Sequence, residues 1–127
     1  MNKEFCDLLR NNFGFIQALP TCNDGWFLLI WKLCNDIKEH LDKMDQKTKN
    51  ELETTQIKEK LGGLRFYVTS YINADIEKQI YIAENESFNI CDWCGRDGTL
   101  YNDGVCYRTR CVDHRDTRKV YISNTLG

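Results

Sequence analysis

Apolar side chains recur along the first third of the chain at spacings of three and four, the mark of helices with one buried face. Phe5, Leu8, Leu9, Phe13 and Ile16 form the first such stretch over residues 2–16, interrupted by Gly14. The single proline, Pro20, falls in a connector that ends at Asn23-Asp24-Gly25, where Asn23 or Asp24 can cap the next helix. That helix carries the strongest pattern: Trp26, Ile30, Leu33, Ile37, Leu41 and Met44 on one stripe, with Asn35, Asp36, Lys38 and Glu39 opposite. Phe27 and Trp31 widen the stripe, which predicts a helix covered on two sides. Residues 42–50 are polar and charged, and predict an exposed helix end or loop.

A shorter helical pattern through Leu52, Ile57 and Leu61 predicts a helix stopped by Gly62-Gly63. The period then changes to two. Leu64, Phe66 and Val68 alternate with Arg65, Tyr67 and Thr69, a half-buried strand over residues 64–71. Asn73 can cap a further helix with Ile76, Ile80, Ala83 and Ser87 on one stripe. Beyond residue 99, two β-prone runs flank Asp103-Gly104, a hairpin signal. The expectation is an α+β fold with helices packed on a small antiparallel sheet. Residues 1–90 form a helical body with one central strand, and residues 91–127 a small hairpin module.

Cysteine placement decides what holds that module together. The N-terminus Met-Asn-Lys-Glu-Phe-Cys-Asp lacks the apolar run of a secretory signal, and no window approaches 18 apolar residues. A cytoplasmic chain is therefore expected, in which thiols stay reduced and clustered cysteines point to metal or catalysis rather than disulfides. Cys6, Cys22 and Cys34 are scattered and read as small buried hydrophobes. The others cluster: Cys91-Asp-Trp-Cys94-Gly95, then the hairpin, then Cys111-Val-Asp-His114. Two ligand pairs of this spacing let four S and N atoms converge on one tetrahedral Zn²⁺. The expected ligands are Cys91, Cys94, Cys111 and His114, with Cys106 a rival that would give a four-cysteine site. Four protein ligands leave no open position, so the zinc would be structural and would fold a segment too small to close its own core.

Charge and catalysis narrow the function. Net charge is −2, which excludes a global basic field. Residues 104–119 nevertheless carry five Lys/Arg against two Asp/Glu. Tyr107, Arg108, Arg110, Arg115, Arg118 and Lys119, with Arg96 nearby and Arg65 and Tyr67 on the strand, are the candidate nucleic-acid or partner-binding residues. No nucleophile–base pair, phosphate-cradling glycine loop or pair of catalytic carboxylates is present, so an enzyme is not expected. A metal-dependent nuclease would require a less saturated metal site.

Three islands together resemble a family of small, mostly uncharacterised bacteriophage and prophage proteins with a C-terminal Cys-x-x-Cys…Cys-x-x-His zinc module. They are Asp24-Gly-Trp-Phe, the stretch Gln56-Ile-Lys-Glu-Lys-Leu-Gly-Gly-Leu-Arg-Phe-Tyr67, and the module through Cys111-Val-Asp-His114. The family motifs carry over to Gly62, Gly63, Arg65, Phe66 and Tyr67 and to the four expected ligands. The family usually has Phe where Leu61 stands and an aromatic where Cys106 stands, which implies a packing role for Cys106. The resemblance implies a phage origin and, because small phage accessory proteins often block host defence, an anti-CRISPR inhibitor whose partner is a CRISPR effector or its guide RNA. The alternative is a zinc-containing nucleic-acid-binding accessory protein of phage replication or transcription.

Overall fold

A computed structural model of the protein describes residues 1–115. Helix α1, Lys3–Asn12, starts at Asn2, whose side chain accepts the Phe5 N–H, and ends before Gly14. A single 3-10 turn, Asp24–Trp26, leads into α2, Phe27–Leu41. Leu29, Ile30, Leu33, Cys34, Ile37 and Leu41 of α2 are buried, as the wide stripe predicts. Neither candidate side chain caps α2. Asn23 makes no capping hydrogen bond, and the Asp24 carboxylate accepts from the backbone and side-chain amides of Asn2. Phe5 and Phe27 stack at 4.1 Å and clamp α1 onto α2. Within the polar stretch after α2, Asp45 caps a short helix α3, Gln46–Glu51, by accepting the Thr48 N–H.

The expected helix over Leu52–Leu61 is a strand. Thr54–Lys60 forms β1, which pairs antiparallel with β2, Gly63–Val68. Leu61 and Gly62 form the two-residue connection, both with positive φ (54° and 84°), the backbone of a type I′ hairpin turn. Gly62-Gly63 is thus part of a hairpin rather than a helix stop. Three apolar residues cannot define a period when Thr54, Thr55 and Ile57 favour strand and a partner strand is available.

Both edges of this hairpin are covered. The connector before α2 runs along β1: Thr54 N–H donates to Phe15 O, and Thr21 N–H to Ile57 O. On the other side α4, Ala74–Glu86, approaches β2. Asn73 caps α4 as expected, through Ile76 N–H. The Phe66 N–H donates to Glu84 Oε2 at 3.0 Å and the Leu64 N–H to Ser87 Oγ at 2.8 Å, so side chains occupy the edge another strand would use. Burial pushes the Glu84 carboxyl above its ordinary value, against the pull of the Phe66 amide and Arg65. One face of the hairpin, with Ile57, Leu64 and Phe66, joins α1, α2 and α4 in the core. The expected second hairpin follows, β3, Thr99–Asn102, against β4, Tyr107–Arg110, giving an α+β fold with two small antiparallel sheets. No helix among the described residues is long and apolar enough to cross a membrane.

Candidate metal centre

Cys91 and Cys94 sit on a tight turn in which the Gly95 N–H returns to Cys91 O at 2.9 Å. Gly95 has φ +82°, a conformation a side chain would strain. Cys111 follows directly on β4, and the 3-10 turn Val112–His114 brings the imidazole back through His114 N–H to Cys111 O. The four ligand atoms lie within 4.8 Å of one another. His114 Nδ1 is 3.3 Å from Cys111 Sγ and 3.9 Å from Cys91 Sγ, and Cys94 Sγ is 3.7 Å from Cys111 Sγ. A tetrahedral ion with metal–sulfur bonds of about 2.3 Å and metal–nitrogen bonds of about 2.0–2.1 Å requires separations of roughly 3.5–3.8 Å. The cluster therefore fits a metal ion. Cys106, in the β3–β4 turn, is not part of it.

The thiols are prepared for this unequally. Burial raises the Cys91 thiol, but the amides of Cys111, Cys94 and Trp93 outweigh it and bring it down to about 7. Burial and the facing sulfurs of Cys91 and Cys111 raise Cys94. Of these two thiols Cys91 thus ionises the more readily, and a bound cation would favour the thiolate form of both.

The surroundings tie this cluster to the body. Gly25 N–H donates to Asp92 O at 2.9 Å, and a Cβ on Gly25 would lie 2.2 Å from Cys91 O, so only glycine allows this approach. The indole of the fully buried Trp26 donates to Ile90 O at 2.9 Å. On the other side the β1–β2 turn docks against β4, with Thr109 Oγ1 donating to Gly62 O at 2.6 Å. The three islands of the sequence, around Gly25-Trp26, around Gly62-Gly63 and around the metal ligands, therefore meet at one place.

Two of the expected partner-binding arginines are not on the surface. Arg108 and Arg110 are fully buried. Arg110 Nε donates to Asp92 Oδ1 at 2.9 Å, and its guanidinium lies 5.4 Å from the Trp93 ring, which neighbours His114. Burial pushes the Asp92 carboxyl up and Arg110 pulls it back. Arg108 Nε donates to Asp103 Oδ2 at 2.6 Å. Asp103 also accepts the Val105 and Cys106 N–H groups, and amides and Arg108 together hold its carboxyl well below the usual range. The excess of Lys/Arg over residues 104–119 pointed to a surface patch, but acids placed elsewhere in sequence give these two arginines internal partners.

The remaining candidates are scattered. Arg96 is exposed and 3.9 Å from Asp113. Arg115 is exposed and lies over Tyr101. Tyr107 is exposed, while Arg65 and Tyr67 lie on β2. Arg118 and Lys119 lie outside the described residues. Cys6, Cys22 and Cys34 are buried as expected. Asp92 was the missed residue, although its place between two ligands, with Arg110 beside a third, was a visible charge pair. The chain matches no family model, no curated protein and no solved structure.

Proposed function

We propose that the chain is a non-enzymatic binding protein whose Cys91, Cys94, Cys111 and His114 hold a structural Zn²⁺. The observation that carries this reading is the completeness of the cluster: four protein ligand atoms within 4.8 Å of one another can fill a tetrahedral ion's coordination and leave no position for water or substrate. The donor set, three sulfurs and one imidazole nitrogen, suits zinc, and when bound the ion would supply folding energy rather than Lewis-acid chemistry. The narrower reading is an inhibitor acting in the bacterial cytoplasm on a host defence complex, a CRISPR effector or its guide RNA. It draws on the resemblance to phage proteins and on the lack of an assembled catalytic group among the described residues. The alternative, a nucleic-acid-binding accessory protein of phage replication or transcription, is favoured by the basic strand face described below.

The test is capture from host lysate with and without RNase, alongside elemental analysis of the purified chain. Zinc at about one per chain and an effector subunit recovered in the pull-down are expected. Zinc-free folded protein would defeat the metal assignment. Recovery of replication or transcription components in place of defence components would transfer the reading to the alternative.

A further inference from the structure

The β1–β2 hairpin commits one face to the core and leaves the other at the surface, with Gln56, Lys60 and Tyr67 exposed and Lys58 and Arg65 half-buried. Ile57, Leu64 and Phe66 point into the core. Glu59, the one acid in the two strands, turns to the side of the metal segment, where it accepts the Gly62 N–H and acts on Asp92. The other face carries Gln56, Lys58 and Lys60 from β1 and Arg65 and Tyr67 from β2. Register places Lys58 directly opposite Arg65 and Gln56 opposite Tyr67. Lys58 Nζ lies 5.7 Å from the Tyr67 ring centre, which fixes both on the same side, and Tyr67 is 38% exposed. Like charges directly opposite weaken a hairpin, so folding gains nothing from this pair. Glu84, across the β2 edge, partly offsets Arg65 but does not belong to the face. Reading residues 52–61 as a helix separated Lys58 and Lys60 from Arg65 and Tyr67; the strand pairing unites them.

We propose that this face binds single-stranded nucleic acid, with Lys58, Lys60 and Arg65 on phosphates and Tyr67 stacked on a base. Lysines two apart on a strand are about 6.7 Å apart, a pitch suited to successive phosphates of an extended chain. The exposed ring favours a single strand, because a duplex hides its base faces. It also favours nucleic acid over an acidic peptide, which would use the cations but not the ring. The inference names the surface and polymer class for the binding reading above, and moves the contact from the C-terminal arginines to the central hairpin.

Fluorescence anisotropy with labelled oligouridine and oligothymidine of about 12 nucleotides tests it, the two arms separating RNA from DNA. Three phosphate contacts predict a log–log salt slope of about −2, or about twentyfold weaker binding from 50 to 200 mM salt. Lys58→Gln with Lys60→Gln should cut the slope by more than half. Tyr67→Ala should weaken binding about tenfold while Tyr67→Phe retains it. Lys38→Gln, at an exposed position of α2, serves as the control and should bind like the unaltered chain. Unaltered protein that binds neither oligomer at low salt, or equal losses for Lys38→Gln and Lys58→Gln, would overturn the proposal. A host protein captured despite nuclease and lost with Lys58→Gln, with no oligomer binding, would overturn it while leaving the binding reading intact. Oligomer binding with these sensitivities and no host partner would support it and sink the defence-complex reading instead.

Discussion

The helical body and the segment from Cys91 to Arg115 are stabilised by different physics. Every residue of the buried apolar cluster lies between Leu9 and Ala83. The buried residues of the later segment are Cys91, Asp92, Arg108, Thr109 and Arg110, one cysteine of the candidate metal cluster and four polar or charged side chains. Apolar burial is non-directional and roughly proportional to area, so the body should lose stability by degrees. Metal ligation and buried ion pairs depend on complete sets of partners, so the segment should fail abruptly when one member is removed. The joints between the two regions are Gly25, where backbone meets the backbone of Cys91 and Asp92, and Gly62, whose carbonyl accepts the Thr109 hydroxyl.

The largest expected effect comes from removing the zinc proposed for the Cys91, Cys94, Cys111 and His114 cluster. Structural zinc contributes about 10–16 kcal/mol in small metal-folded peptides. A strong chelator, or Cys94→Ser, should therefore release residues 91–115 to proteolysis while the far-UV helical signal of α1, α2 and α4 persists. Limited proteolysis read by mass spectrometry checks this. Simultaneous loss of helix would break the comparison, and would show that the Gly25–Asp92 and Trp26–Ile90 contacts make one cooperative unit.

Next in size is the buried pair beside the ligands. Asp92→Ala should cost about 3–5 kcal/mol, because it strands the Arg110 guanidinium in a closed site. Asp92→Leu combined with Arg110→Met should cost much less, since it removes both charges at similar volume. Denaturant melts of the metal-loaded proteins compare the two. Equal costs would mean that Arg110 acts through Trp93 and His114 rather than through Asp92.

How much of this was legible in the sequence follows the same division. Helix α2 and strand β2 were visible because one repeating pattern fixes both period and buried face. The clustering of Cys91, Cys94, Cys111 and His114 was visible because metal geometry imposes short-range spacing. Strand β1 was not: Ile57 alone of its residues faces the core as a large apolar side chain, and its pairing depends on Gly63–Val68 and on the Phe15–Thr21 connector. The burial of Arg108 and Arg110 was not legible either. It depends on where Asp103 and Asp92 arrive in space, and composition read only the sum of charges.

The smallest expected effect tests whether the body is free of the electrostatic constraints that rule the metal segment. Glu84 is its exception, a half-buried carboxyl that closes the β2 edge through Phe66 N–H. Its folded pKa is raised above the ordinary value of 4.5, so the folded state holds its proton more tightly than the unfolded state. Its contribution is therefore most favourable below the unfolded value, and is lost as pH rises through the folded one. Glu84→Gln keeps an acceptor for the Phe66 amide and removes the charge. Relative to this variant, the unaltered chain should lose stability as pH rises above about 4.5 and then level off, by under about 1 kcal/mol because the site is partly solvated. Paired thermal melts across that range measure the difference, in which any shared effect of metal loss cancels. A constant difference at every pH would mean that Glu84 serves only as a hydrogen-bond acceptor at the sheet edge, and that the body is as insensitive to charge as its apolar core suggests.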